Sequence, residues 1–147
     1  MASDHTQNYA NHARIVPGYH YLLAGLIALG LVGSLVNLIE SWGDHQRIYS
    51  ASLIVVLEIV AVLLFWFCRV FPLKAQDRAI RAEENLRHFV LTGRLLDPRL
   101  SVKQIVALRF APDDEFVALA VRAANENLAP DDIKRSIRNW RADDYRV

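Results

Sequence analysis

YHYLLAGLIALGLVGSLVNLI, residues 19–39, is a run of 21 positions with no formally charged side chain when His20 is counted neutral. After ESWGDHQR, residues 40–47, comes IYSASLIVVLEIVAVLLFWFC, residues 48–68, another 21 positions with the single charge Glu58. An α-helix rises about 1.5 Å per residue, so ~20 apolar residues cross the hydrocarbon core of a bilayer. Both runs have that length, and the segment between them suffices only for a tight connection. The prediction is a transmembrane hairpin over residues 19–71, with spans at about 19–39 and 48–71. Tyr19, Tyr21, Trp42, Tyr49, Trp66 and Phe71 sit at the ends of the runs, where interfacial rings are favoured. A soluble helical hairpin buried in a core is the competing reading; the charge-free length and the aromatic ends favour the bilayer.

The rest of the chain is arranged around these runs. Hydrophobic residues make up 53% of the 147 positions, and most of the aliphatic bulk lies between Tyr19 and Phe71. The first eighteen residues form a polar tail, with no small-residue cleavage site after a short apolar core. The first run is therefore expected to stay in the membrane rather than be removed as a signal peptide. Residues 72–147 form a charged helical domain, near the lower size limit for a self-sufficient core. The lone cysteine, Cys68, has no intrachain disulfide partner and reads as a small packed hydrophobe.

Orientation follows from basic residues. The connection carries only Arg47 and the tail only Arg14, whereas Arg69, Lys74, Arg78, Arg81 and Arg87 follow the second run. The positive-inside bias places both termini in the cytoplasm and the connection outside. Arg69, Lys74, Arg78 and Arg81 are also candidates for contact with anionic lipid; a solvated helix face of mixed charge is the plainer reading.

Folding the runs back on one another places Asn37 level with Ser50, where a hydrogen bond between them would hold the register. Glu58 falls level with Leu29 and Gly30. Ala24, Gly25, Ala28, Gly30, Gly33 and Ser34 make the first run a surface that another helix can approach closely, within the hairpin or between copies. An acid in mid-span is costly, by ~2.5–3.5 kcal/mol on insertion scales, and marks a functional candidate. Two roles compete for Glu58: a carboxyl that fastens packed helices, or an ion- or proton-handling group. No second intramembrane charge accompanies it, which favours fastening.

In the charged domain a long helix is expected from about Leu73 to Leu91, set off from the second span by a kink at Pro72. Asp77 with Arg81 and Glu83 with Arg87 have the spacing of helical ion pairs, and Thr92-Gly93 is a stop signal. Ser101 reads as the N-cap of a short helix reaching about Phe110, with Val102, Ile105 and Val106 on one side. Pro112-Asp113-Asp114-Glu115 and Pro130-Asp131-Asp132 open two more, buried through Phe116, Leu119, Ala120 and Ala123, and through Ile133, Ile137 and Trp140. The fold class is thus an all-α membrane protein: a hairpin, a long juxtamembrane helix and a small bundle of short helices.

Histidines 5, 12 and 20 would share one side of a helix only if it ran through Pro17-Gly18, so a metal site is not expected. The domain is only mildly basic and has no evident recognition helix, so nucleic acid is not an expected partner. Neither a Ser/His/Asp or Cys/His constellation nor a phosphate-cradling glycine loop is present, and no enzyme activity or cofactor is expected.

Four stretches, QNYANHARIVPGYHY, QDRAIRAEENLRHFVLTGRLLD, QIVALRFAPDDEFVAL and IKRSIRNWRADDYRV, resemble a bacterial family of small two-span membrane proteins of unknown function. The likeness covers nearly the whole chain, with the juxtamembrane QDRAIRAEENLRH its most specific part. It implies a hairpin followed by a helical C-terminal domain in a bacterial inner membrane; no activity, catalytic residue or cofactor is carried over from it. The expected function is a self-assembling scaffold or an accessory subunit of a larger membrane complex. A small oligomeric channel using Glu58 is the alternative.

Overall fold

The computed structural model describes residues 7–12 and 14–143; His5 lies outside them. Among the described residues every regular element is helical. A π-helical turn, Gly18–Leu23, leads into α1 (Ala24–Glu40), followed by α2 (His45–Thr92), α3 (Val102–Leu108), α4 (Asp113–Glu126) and α5 (Pro130–Ser136). The chain divides into two compact units, residues 15–71 and residues 1–14 with 72–147.

The first of these units holds α1 and the beginning of α2. Pro17, with φ −57°, precedes the helix, and the N–H groups of Tyr19 and His20 donate to Val16 O at 3.1 and 2.9 Å. The helix thus begins after Pro17, so His12 and His20 share no helix. At the other end of α1, Ser41 Oγ donates to Asn37 O at 2.7 Å, and Gly43 at φ +92° turns the chain. Asp44 Oδ1 then accepts the N–H groups of Gln46 and Arg47 at 3.0 and 3.2 Å, an N-cap that starts α2 ahead of the expected Ile48.

Both helical stretches are long and apolar enough to cross a membrane, and only 6% of the most apolar window of each is buried. A helix in the core of a soluble protein would be mostly covered; these two are not. Leucine, isoleucine, valine and aromatic side chains instead face outward along both.

α2 corrects an expectation. It is a single helix of 48 residues with Pro72 inside it, so the juxtamembrane helix expected from Leu73 continues the second apolar run and is not an element of its own. Proline at 72 forfeits the N–H that would reach Cys68 O, at a cost of about 3 kcal/mol. The good helix formers that follow, Leu73 to Gln76, carry the helix onward. It ends where Gly93, at φ +72°, takes the left-handed conformation and donates its N–H to Phe89 O at 2.7 Å.

In the second unit α3, α4 and α5 enclose a core of which Leu108, Phe110, Phe116, Ala123 and Ile133 are fully buried parts. Ser101 and Gln104 cap α3 reciprocally: Ser101 Oγ accepts the Gln104 N–H, and Gln104 Oε1 accepts the Ser101 N–H. The Gln104 amide also donates to Leu128 O at 2.9 Å, tying α3 to the end of α4. α4 buries Phe116, Leu119, Ala120 and Ala123, the stripe its periodicity gives. Pro130 occupies the first turn of α5, which buries Ile133.

The expected ion pairs along α2 are a second correction. Asp77 with Arg81 and Glu83 with Arg87 do not pair. Arg87 turns toward the core instead. It meets Glu84 at 3.0 Å and Asp113 at 2.6 Å, donates to Ala111 O at 2.8 Å, and lies 4.3 Å above the Phe116 ring. Three acceptors and a ring outweigh one exposed carboxylate four residues away, a contact worth only ~0.2–0.5 kcal/mol.

Candidate functional site

Glu58 is the charged group in the apolar stretch of α2, and its carboxyl rests on Gly30 of α1. A Cβ built on Gly30 would stand 2.5 Å from Oε1, 2.9 Å from Cδ and 3.0 Å from Oε2. The carboxyl therefore fills the space that the missing side chain leaves. Nearer the start of α1, the Tyr19 hydroxyl donates to Phe65 O, and the two rings stack at 4.5 Å. Tyr19 was legible only as an interfacial aromatic; nothing local signals that its hydroxyl reaches a carbonyl of α2.

The other candidates are distributed differently. Ser50 Oγ donates to Arg47 O at 2.9 Å within its own helix, and no hydrogen bond joins it to Asn37. A hydroxyl on a helix finds a carbonyl three or four residues back without any partner helix. Ser34 is buried and does the same, donating to Leu31 O at 2.9 Å. Gly25 and Gly33 would meet nothing within 4 Å if given a Cβ. Ala28 is exposed and Ala24 half-buried. Among the glycines of the first apolar run, close packing inside the chain falls on Gly30.

A second constellation joins the N-terminal tail to the helical domain, within one compact unit. Asn8 and Asn11 shape a turn: the Asn8 N–H donates to Asn11 Oδ1 at 2.6 Å, and the Ala10 N–H donates to Asn8 Oδ1 at 2.9 Å. His12 Nδ1 donates to Tyr9 O at 2.6 Å, which leaves Nε2 to accept from Lys134 Nζ at 3.1 Å. Its ring lies 6.0 Å from Phe110 and 5.8 Å from Trp140. Arg135 donates to the Tyr9 hydroxyl at 3.2 Å, and this bond raises the guanidinium above its ordinary pKa. The Asp143 N–H donates to Gln7 Oε1 at 2.8 Å. His12 is therefore a packing and hydrogen-bonding residue.

The domain also has a charged cavity of about 290 Å³, lined by Gln76, Ile80, Glu83, Glu84, Arg109 and Arg141 among others. Arg109 pairs with Asp143 at 2.9 Å, and Arg141 stands 3.9 Å from Glu84. Both cavity arginines thus face a carboxylate, while Glu83 forms no ion pair with a described residue. Among the described residues no group of three or more His, Cys, Asp or Glu is placed to hold a metal ion. Of the candidate lipid-contacting cations, Lys74, Arg78 and Arg81 are exposed and Arg69 is half-buried.

The fold and these sites define an all-helical protein that joins two membrane-length apolar helices to a compact, charged helical unit. The chain belongs to the family of unknown function DUF6526, which matches residues 1–147. No curated protein and no solved structure matches it.

Proposed function

We propose that this is a non-enzymatic integral membrane protein, acting as a self-assembling scaffold or as an accessory subunit of a larger membrane complex. The carrying observation is the seating of Glu58 on Gly30. A costly polar group is used there as a packing element, locking α1 to α2. Two helices so joined form a hairpin whose outer surface is almost wholly apolar, suited to lipid and to the spans of other subunits.

The docked tail supports a hairpin with both ends on one side of the membrane. Tyr9 and His12 bond to Lys134 and Arg135, so the segments before the first span and after the second meet in one aqueous compartment. The basic residues after the second span make that compartment the cytoplasm, and a bacterial inner membrane is the setting.

Glu58→Gln tests the role of the acid, since it keeps a hydrogen-bonding side chain of the same shape and removes the titratable charge. The variant should purify with the same assembled mass as the parent, and neither should conduct ions in liposomes. Ion flux in the parent that vanishes in an intact Glu58→Gln assembly would replace the scaffold with the ion-handling reading. Labelling of a cysteine placed in residues 41–44 from outside intact cells checks the orientation; labelling only after lysis reverses it.

A further inference from the structure

The part of α2 beyond Pro72 has two unlike faces. Ile80, Glu84 and His88 are buried and Arg87 nearly so, all turned toward the unit's own core. The opposite face is uncovered: Ala75, Ala79 and Ala82 are exposed, Leu86 is 63% exposed and Phe89 50%. The spacing of these five positions alternates four and three residues, the seam of a coiled coil. Ala79 and Leu86 take the a positions; Ala75, Ala82 and Phe89 take d. Alanine followed by leucine and phenylalanine gives two helices a close approach at one end and bulk to bury at the other.

The charges beside the seam select the partner and its direction. Arg78 falls at g and Glu83 at e, and neither forms an ion pair with a described residue; Glu83, with Ala79, also borders the charged cavity on its flank. In a parallel pair the g residue of one helix lies beside the e residue five positions on in the other. Arg78 then meets the second copy's Glu83, and by symmetry the pair occurs twice. An antiparallel pair sets g against g and e against e, which brings together no such opposite charges.

We propose that this face of α2 is the surface by which copies of the chain meet, as a parallel two-stranded coiled coil over residues 75–89. The proposal rests on the scaffold reading and names the contact through which self-assembly occurs.

Site-directed disulfide trapping in the full chain, in native membranes, tests it. With Cys68→Ser as background, a single cysteine is placed at Ala79 or Ala82 on the seam, or at Arg81 off it. Oxidation should trap a covalent dimer at 79 and at 82, and at least tenfold less at 81. Arg78→Glu should reduce trapping at 82 severalfold, and adding Glu83→Arg should restore it. Equal trapping at 81 and 82, none at 79 and 82, or adducts with a different protein would overturn the proposal. The mass of the detergent-solubilised chain separates the two failures: an oligomer without trapping removes the seam and leaves self-assembly standing, whereas a monomer removes both.

Discussion

Replacing Gly30 by alanine places one methyl group against the Glu58 carboxyl. The new Cβ would stand 2.5 Å from Oε1, where ordinary contact begins at 3.4 Å, so the carboxyl has to move by roughly 1 Å. It is the far end of a flexible side chain, and leaving its preferred rotamer costs about 0.5–1.5 kcal/mol. Alanine meanwhile gains about 0.5–1 kcal/mol over glycine inside a helix. The two effects nearly cancel, so Gly30→Ala alone should change stability by less than about 1 kcal/mol. The informative quantity is the coupling. In a Glu58→Ala background the obstruction is gone and only the helix gain remains. Gly30→Ala should then be more favourable there than in the parent by about 0.5–1.5 kcal/mol. Unfolding of the four variants from mixed micelles with increasing anionic detergent gives this coupling. An identical effect of Gly30→Ala in both backgrounds would refute the packing account of Glu58.

Two further outcomes follow from the helical domain. Phe116→Ala removes a fully buried ring beneath Arg87 and should cost about 3–5 kcal/mol in thermal or denaturant unfolding, whereas Val121→Ala, at a 54% exposed position, should cost under about 0.5. Hydrogen bonds from the Arg99 side chain, and then from its N–H, hold the Asp97 carboxyl at about 2 against the ordinary 3.8. Because the folded pKa is the lower one, this contribution is complete above about pH 4 and is lost as pH falls toward 2. The carboxyl carbon resonance of Asp97 should titrate near 2, and Arg99→Ala should return its midpoint toward 3.8.

What could be read in advance depended on the range of the interactions. The two long apolar helices were legible because residues 19–39 and 48–68 have, on their own, the length that hydrocarbon thickness demands. Ser101 with Gln104, and Pro130 at the start of α5, were legible because capping is settled within one turn. Arg87 was misassigned because its decisive partner, Asp113, is far along the chain, while the i, i+4 rule sees only Glu83. Pro72 marks a broken hydrogen bond, but its neighbours decide whether the helix stops, and here it continues. The contacts of Tyr9 and His12 with Lys134 and Arg135 bridge nearly the whole sequence, and no local pattern specifies them. Glu58 was conspicuous as a lone charge; that its carboxyl occupies the gap at Gly30 needed the structure.

The claim most exposed to test is that copies of this chain assemble through their own surfaces in a membrane. The mass of the full chain, extracted directly into native lipid nanodiscs and measured at several dilutions, addresses it. The account predicts an integer multiple of the chain mass that persists on dilution. A single chain at every dilution would contradict it.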